Sequence, residues 1–259
     1  MTLRSARPHT PDRASKAKQV KDALSVARGP SPGRHTRPRS PALPAALLLV
    51  AAFAGCGSTG SGIASKTPAQ ALAAARTAAV HASSVHLASD LHEGRVRSMV
   101  DAELASNGGH AQVSLLGLTY EVIRIGDTIY LKGTPAFDAR LSRSIGLRIP
   151  QGRWLKGPAD SGPLARFAGI TQLTRELILQ LRTAGPLTKG TTTTIDGQKA
   201  IQIKDSGKLY AGSLYLAAVG QPYPLQIARH GRESGQTTFT GWNKPVTLTA
   251  PADAVELPG

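Results

Sequence analysis

The sequence predicts an α+β fold built around one strongly curved antiparallel sheet. Three observations carry that expectation. Apolar residues alternate with polar ones in short runs over 85–132 and again over 191–240. Glycine-containing turn dipeptides separate many of the runs. Helical patterns precede and divide the two groups instead of alternating with each strand, which argues against βαβ units and a parallel sheet.

The first element is an Ala-rich helix from Thr67 to about Ala82. Thr67 is placed as N-cap, Pro68 at the first helical position and Gln70 three residues after the cap, a capping-box arrangement. Its apolar face is thin: Leu72, Ala75, Ala79 and Val80. Strands follow. Val85, Leu87 and Leu91 alternate with His86, Ala88 and Asp90, and then Val96, Ser98, Val100, Ala102 and Leu104 oppose Arg95, Arg97, Met99, Asp101 and Glu103. Asn107-Gly108 reads as a hairpin turn into Ala111, Val113 and Leu115. Leu118, Tyr120 and Val122 continue the alternation, and Gly126-Asp127 turns the chain into 128–132. The middle is helical. Thr134-Pro135 opens a segment with Phe137, Leu141 and Ile145 at fourfold spacing, stopped by Gly146. A second runs from Thr171 to Ala184 with Leu173, Leu177, Ile178 and Leu181, stopped by Gly185-Pro186. Trp154 and a Pro163-led turn fall in a loop between them. Strands return at 191–195 and 199–203 across Asp196-Gly197, then at 214–219 and 225–229 around "GQPYP". The stretch "TTFTGWNKPVTLTAP" supplies a last strand or two, with Pro245 demoting its centre to an edge or bend.

The net charge of +15 is unevenly placed. Residues 1–40 hold ten Lys and Arg against Asp12 and Asp22, a balance of +8, with several prolines and no apolar periodicity. Such a segment buries too little to offset its ordering entropy, so a disordered leader is expected. Its lack of aromatic residues and its place upstream of an export signal argue against nucleic-acid binding. Residues 41–55 carry no charge and are mostly apolar. That run is short for a spanning helix, which needs about 20 residues, and suits a signal-peptide core. Arg34, Arg37 and Arg39 form the positive region before it. The only methionines are Met1 and Met99. The late position of the apolar run therefore suggests translation from Val20 or Val26 at a GTG codon.

The single cysteine, Cys56, follows this run, and Phe53-Ala54-Gly55-Cys56 resembles the lipobox of bacterial lipoproteins. Leu is usual where Phe53 stands. The resemblance implies a diacylglycerol on the Cys56 thiol, an N-acyl group after cleavage, and Cys56 as the first mature residue. Residues 56–66 then form the lipidated cysteine and a Gly/Ser-rich tether, and 67–259 the folded domain. An inert core cysteine would not sit between an apolar run and such a tether.

Little in the mature region points to catalysis. His81, His86, His92, His110 and His230 lack companions at metal-ligand spacing, so structural or surface roles are expected and no metal or catalytic residue is assigned. From Cys56 onward no G-x-S-x-G or Ser-x-x-Lys occurs. Gly185 to Gly190 has the glycine spacing of a phosphate loop but lacks the lysine after it and precedes a strand. Asp101 and Glu103 share a strand face with Arg95 and Arg97, where charge pairing accounts for them. An enzyme is therefore not expected. The inward-facing residues are aliphatic and aromatics are scarce, which suits acyl chains better than sugars or bases. Periodicity alone favours a simply filled core over such a cavity.

The ordered set "ALAAARTAAVHASSVHL", "GDTIYLKG", "RWLKG", "TTTTIDGQKAIQIK", "YPLQI" and "TFTGWNKPVTLTAPADAVEL" is similar to LppX/LprG-type lipoproteins of mycobacteria and related bacteria, which share their fold with the LolA/LolB carriers. That resemblance implies a half-open β-barrel with helices on its concave face, enclosing a cavity for lipids or lipoglycans, on the outer face of the plasma membrane. The sheet candidates for a lining are Val113, Leu115, Tyr120, Val122, Ile129 and Leu131; Phe137, Leu141, Leu173 and Leu177 are the helical ones. The expected partners are a lipid or acylated glycolipid, the membrane through its anchor, and a membrane transporter, with the chain a monomer. The alternative is a non-carrier envelope lipoprotein with a scaffold or regulatory role and a filled core.

Overall fold

A computed structural model describes residues 60–208 and 210–257. The leader, the apolar run and the Phe53–Cys56 lipobox lie outside the described residues. The first helix, α1 (Pro68–Val80), forms as its sequence dictates. Thr67 Oγ1 accepts from Gln70 N at 3.3 Å while Gln70 Oε1 accepts from Thr67 N at 3.0 Å. Five strands follow as a meander: β1 (Ser84–Glu93), β2 (Val96–Ala105), β3 (Gly108–Leu115), β4 (Leu118–Ile125) and β5 (Thr128–Gly133). After α2 (Pro135–Ile145) come β6 (Leu155–Pro158), a 3-10 segment (Ala165–Thr171) and α3 (Leu173–Gln180). The chain then forms β7 (Leu187–Ile195), β8 (Gln198–Asp205), β9 (Gly212–Ala217), β10 (Pro224–His230), β11 (Glu233–Thr240) and β12 (Val255–Glu256).

Among the described residues all twelve strands join one open, curved sheet in the order β12-β6-β5-β4-β3-β2-β1-β11-β10-β9-β8-β7. Every pairing is antiparallel except β12 with β6. The concave face carries the main core. Across it run Leu131, Val122, Ala111, Ala102, Leu87, Phe239, Ile227, Leu214 and Ile203, and onto it pack Leu72, Ala75 and Ala79 of α1 and Leu173 and Leu177 of α3. At roughly 25 cal/mol per Å² this apolar burial is the main stabilising term, and it fixes register because a one-residue slip would expose each strand's inward set.

Three expectations needed correction, while the last strand expected at "TTFT" forms within β11. The β2–β3 loop is Ser106-Asn107, not Asn107-Gly108, because Gly108 already pairs with Ala105. The segment from Thr171 to Ala184 is a 3-10 turn up to Thr171 and then only Leu173–Gln180 as helix. Two arginines stop it there: Arg229 donates to the Gln180 carbonyl at 2.8 Å and Arg76 to the Leu181 carbonyl at 2.6 Å. The loop holding Trp154 contains β6, whose four residues sit at the β5 edge. Past Thr240 the chain leaves the sheet: Asn243 takes φ +59° and its Oδ1 accepts from Ser83 N at 2.8 Å, so no further strand forms until β12.

Candidate functional site

At one end of the strands, the β3–β4 hairpin and α2 flank an open cavity of about 380 Å³. Its floor is three aromatic rings: Tyr120 on β4, Phe137 on α2 and Phe167 on the 3-10 segment. Tyr120 and Phe137 stack at 4.8 Å, and Phe167 meets them edge-on at 5.3 and 5.7 Å. Such pairings add about 0.5–1.5 kcal/mol each beyond area burial. Gly133, ending β5, makes the arrangement possible: a Cβ there would stand 2.1 Å from Phe137 Cδ1. Burial raises the pKa of the Tyr120 phenol.

Leu115, Leu116 and Leu118 form one wall and Leu141 the other. The hairpin turn is Leu116-Gly117, with φ +54° and +74°. Both central positions of such a turn need positive φ, which Asn-Gly supplies with little strain and leucine does not. Leu116 is nonetheless 60% exposed and Leu115 39%. Arg140, Ser144 and Arg166 complete the rim. The Arg166 guanidinium lies 5.0 Å from the Phe167 ring centroid and donates to Ser144 Oγ at 3.0 Å. No Asp or Glu lines the cavity. Behind it, buried Asp138 accepts from Gly152 N at 2.8 Å, tying the following loop to α2. Burial raises this carboxyl's pKa against that backbone donor.

The ten candidate lining residues do not converge on one place. Leu115, Tyr120, Phe137 and Leu141 line the cavity just described. Val113, Val122, Ile129 and Leu131 are buried in the main core. Leu173 borders a second depression, of about 640 Å³, between the end of α1, the β2–β3 hairpin and α3. Leu177 borders a third, of about 290 Å³, near Arg76 and Arg182. Leu116, Leu118, Arg140, Ser144, Arg166 and Phe167 escaped the sequence reading. The run "LLGL" across a tight turn was the available signal, since turns ordinarily take polar residues.

A buried polar chain beneath α3 also escaped it. Ser89 and Thr237 share a hydrogen bond at 3.0 Å, Thr237 Oγ1 donates to Gln180 Oε1 at 3.2 Å, and Gln180 Nε2 donates to Glu176 Oε1 at 2.9 Å. Burial raises the Glu176 pKa, against the Gln180 donor and Arg175. Beside it, Arg229 is buried, pairs with Glu233 at 3.2 Å and lies over Tyr210 at 4.9 Å; burial lowers its pKa.

On the opposite sheet face the charges pair across strands, not along one. Arg97 binds Asp90 with contacts of 2.9 and 2.6 Å, and Asp101 faces His86 at 3.1 Å. Among the described residues no three His, Cys, Asp or Glu side chains converge as metal ligands.

No protein-family model matches the chain, and neither does any curated protein. Solved structures do. The chain is similar to mycobacterial lipoproteins. Against LppX of Mycobacterium tuberculosis it has a TM-score of 0.45 and 17% identity, covering 70% of this chain and 98% of that one. Against LprF of Mycobacterium bovis the values are 0.48 and 15%, over 71% and 97%. A LolA superfamily protein from Nitrosomonas europaea matches at 0.23 and 10%, over 74% and 96%. These likenesses concern the path of the chain; cargo has to be read from this molecule's own site.

Proposed function

We propose that this chain is an envelope lipoprotein, anchored through Cys56, that shields an acyl chain of a lipid or glycolipid and carries it within the envelope. The observation that carries this reading is the cavity walled by Leu115, Leu118, Leu141 and three aromatic rings, apolar within and cationic at its rim. At about 380 Å³ it lies near the small end of ligand pockets, which span about 300–1,000 Å³, so one chain fits better than several. The energetic need is plain. Shielding a sixteen-carbon chain from water is worth on the order of 10 kcal/mol at about 0.8 kcal/mol per CH₂.

A non-carrier role is the second reading, and one observation favours it. Val122, Ile129, Leu131 and Leu177 are fully buried, so the space between the helices and the middle of the sheet is packed. Mass spectrometry of lipid extracted from the domain, purified from a lipid-producing host with Cys56 replaced, separates the two. The carrier reading expects a co-purifying acylated lipid. It expects that lipid to be lost in Ser144→Trp, where an indole fills the rim from an exposed position, with thermal stability unchanged. Lipid-free protein that also takes up no labelled fatty acid favours the filled core.

A further inference from the structure

We propose that the groove between α1 and α3 docks a segment of a partner protein in which apolar side chains are flanked by acidic ones. The inference goes beyond the cargo reading, and the groove shares no lining residue with the cavity beside the β3–β4 hairpin. Two depressions form it, of about 640 and 290 Å³, and both are lined by Val80 of α1 and Ile178 of α3. Its centre is apolar. Leu177 and Leu181 are buried in the smaller depression, and Ile178, 57% exposed, offers area that a docked apolar side chain would bury. Its ends are cationic, with Arg124 and Arg175 lining the larger depression and Arg76 and Arg182 the smaller. Neither lining contains Asp or Glu. Among the described residues none of these four arginines makes an ion pair. Other surface arginines do find acids: Arg97 binds Asp90 and Arg232 binds Glu93. Two of the four are already positioned. Arg76 donates to the Leu181 carbonyl at 2.6 Å, and Arg175 rests against Gly169, where a Cβ would stand 3.2 Å from its Cζ. Guanidinium groups held around an apolar centre select carboxylates that arrive with apolar neighbours, and their placement lowers the ordering cost of binding.

Charge decides among the occupants. Residues 1–40 hold ten Lys and Arg against two Asp, and from residue 41 onward 21 Lys and Arg stand against 14 Asp and Glu. Neither the chain's own N-terminal region nor a second copy therefore complements the groove. A bilayer presents a plane, whereas this site is concave along the seam between two helices. Arg175 on α3 and Arg182 just beyond it are seven positions apart, on the order of 10 Å at about 1.5 Å per residue. An extended peptide spans that distance with about three residues between its acids, at roughly 3.3 Å each. The pattern that fits is acid, apolar triplet, acid.

Photo-crosslinking tests the proposal on the full chain carrying Cys56→Ser. The probe is the peptide Glu-Glu-Leu-Leu-Leu-Glu-Glu with a photoreactive leucine at its centre, and mass spectrometry maps the crosslinks. They are expected in 76–82 and 174–182 and to weaken with salt. A peptide with lysine for each glutamate, and one with serine for the two outer leucines, are expected to leave these segments unlabelled. Arg175→Gln with Arg182→Gln is expected to lower the yield about tenfold, and Ile178→Ser about fivefold. The peptide controls read the same specificity on the unaltered groove, so the test does not depend on either variant folding. Bound lipid plays no part in the readout, which keeps failure here distinct from failure of the carrier reading. Crosslinks confined to residues 1–40, equal yields from the lysine peptide, or yields unchanged in both variants overturn the proposal. So does protection of 174–182 by phosphatidylglycerol vesicles as complete as that by excess unlabelled peptide, which would assign the groove to a membrane.

Discussion

Glu176 lies on the buried face of α3 with its carboxyl bonded to Gln180 and little exposure to solvent. Burial favours the protonated form and raises the pKa above the ordinary carboxylate value. A folded-state pKa above the unfolded one means the native state binds the proton more tightly. Stability then falls as pH rises from the usual carboxylate range through the raised value, and the penalty is complete above it. Glu176→Gln keeps the acceptor for Gln180 and removes the ionisation. Thermal melts should show the variant close to the parent near pH 4 and a few degrees more stable near pH 8. A pH-independent difference would show that the carboxyl is not what titrates. At this scale the sequence was only partly readable. The apolar candidates could be read because period two places Val113, Tyr120 and Val122 on one face. Glu176 on α3 could not, since nothing local shows that Thr237 and Ser89 stand opposite it, 61 and 87 positions away in sequence. The rim arginines were hidden for the same reason: Arg140 and Arg166 line one cavity only because α2 and the 3-10 segment come together beside one hairpin.

Among the elements, α3 is short and held mainly by what it touches. An isolated helix of eight residues is not stable in water, so packing and caps must supply its stability. Leu173 and Leu177 supply the packing, while Arg76 from α1 and Arg229 from β10 take the carbonyls at its end. Replacing Arg76 with Ala leaves the Leu181 carbonyl without that donor and should cost about 1–3 kcal/mol. Hydrogen exchange should locate the effect, with amides of 173–181 exchanging faster while those of β1 to β3 keep their protection. Uniform acceleration would mean that α3 does not open as a separate unit. The same dependence explains which elements could be read from sequence. α1 carries its own start signal in Thr67, Pro68 and Gln70, and the meander carries period two with turn residues, so both were legible. The end of α3 is set by arginines distant in sequence. β6 is four residues containing Gly157 and Pro158, stabilised by edge pairing to β5, and no local pattern marks it.

On the scale of the whole molecule, the described chain is tied down from its first residues. Gly60 and Ser61 join the end of β9, Ile63 is buried in the main core, and Lys189 Nζ donates to the carbonyls of Ala64 and Lys66 at 2.7 and 2.6 Å. Of the expected tether, 56–66, the part from Gly60 onward is thus held to the domain, and the four-residue step from Cys56 to Gly60 has a covalent reach of at most about 14 Å. An anchor at Cys56 would hold the β9–β10 end near the bilayer and direct the cavity end away from it. One acyl chain binds membranes only marginally, whereas the two chains of a diacylglycerol hold firmly. The full-length protein, expressed in a host that matures lipoproteins, is thus expected to incorporate labelled palmitate and to sediment with membranes after carbonate washing. Cys56→Ser should abolish the label and leave the precursor uncut. Cleavage and membrane retention unchanged by Cys56→Ser, with no palmitate in the parent, would remove the anchor from the argument. The folded domain described from Gly60 onward would then stand as a secreted acyl-binding protein and not a tethered one.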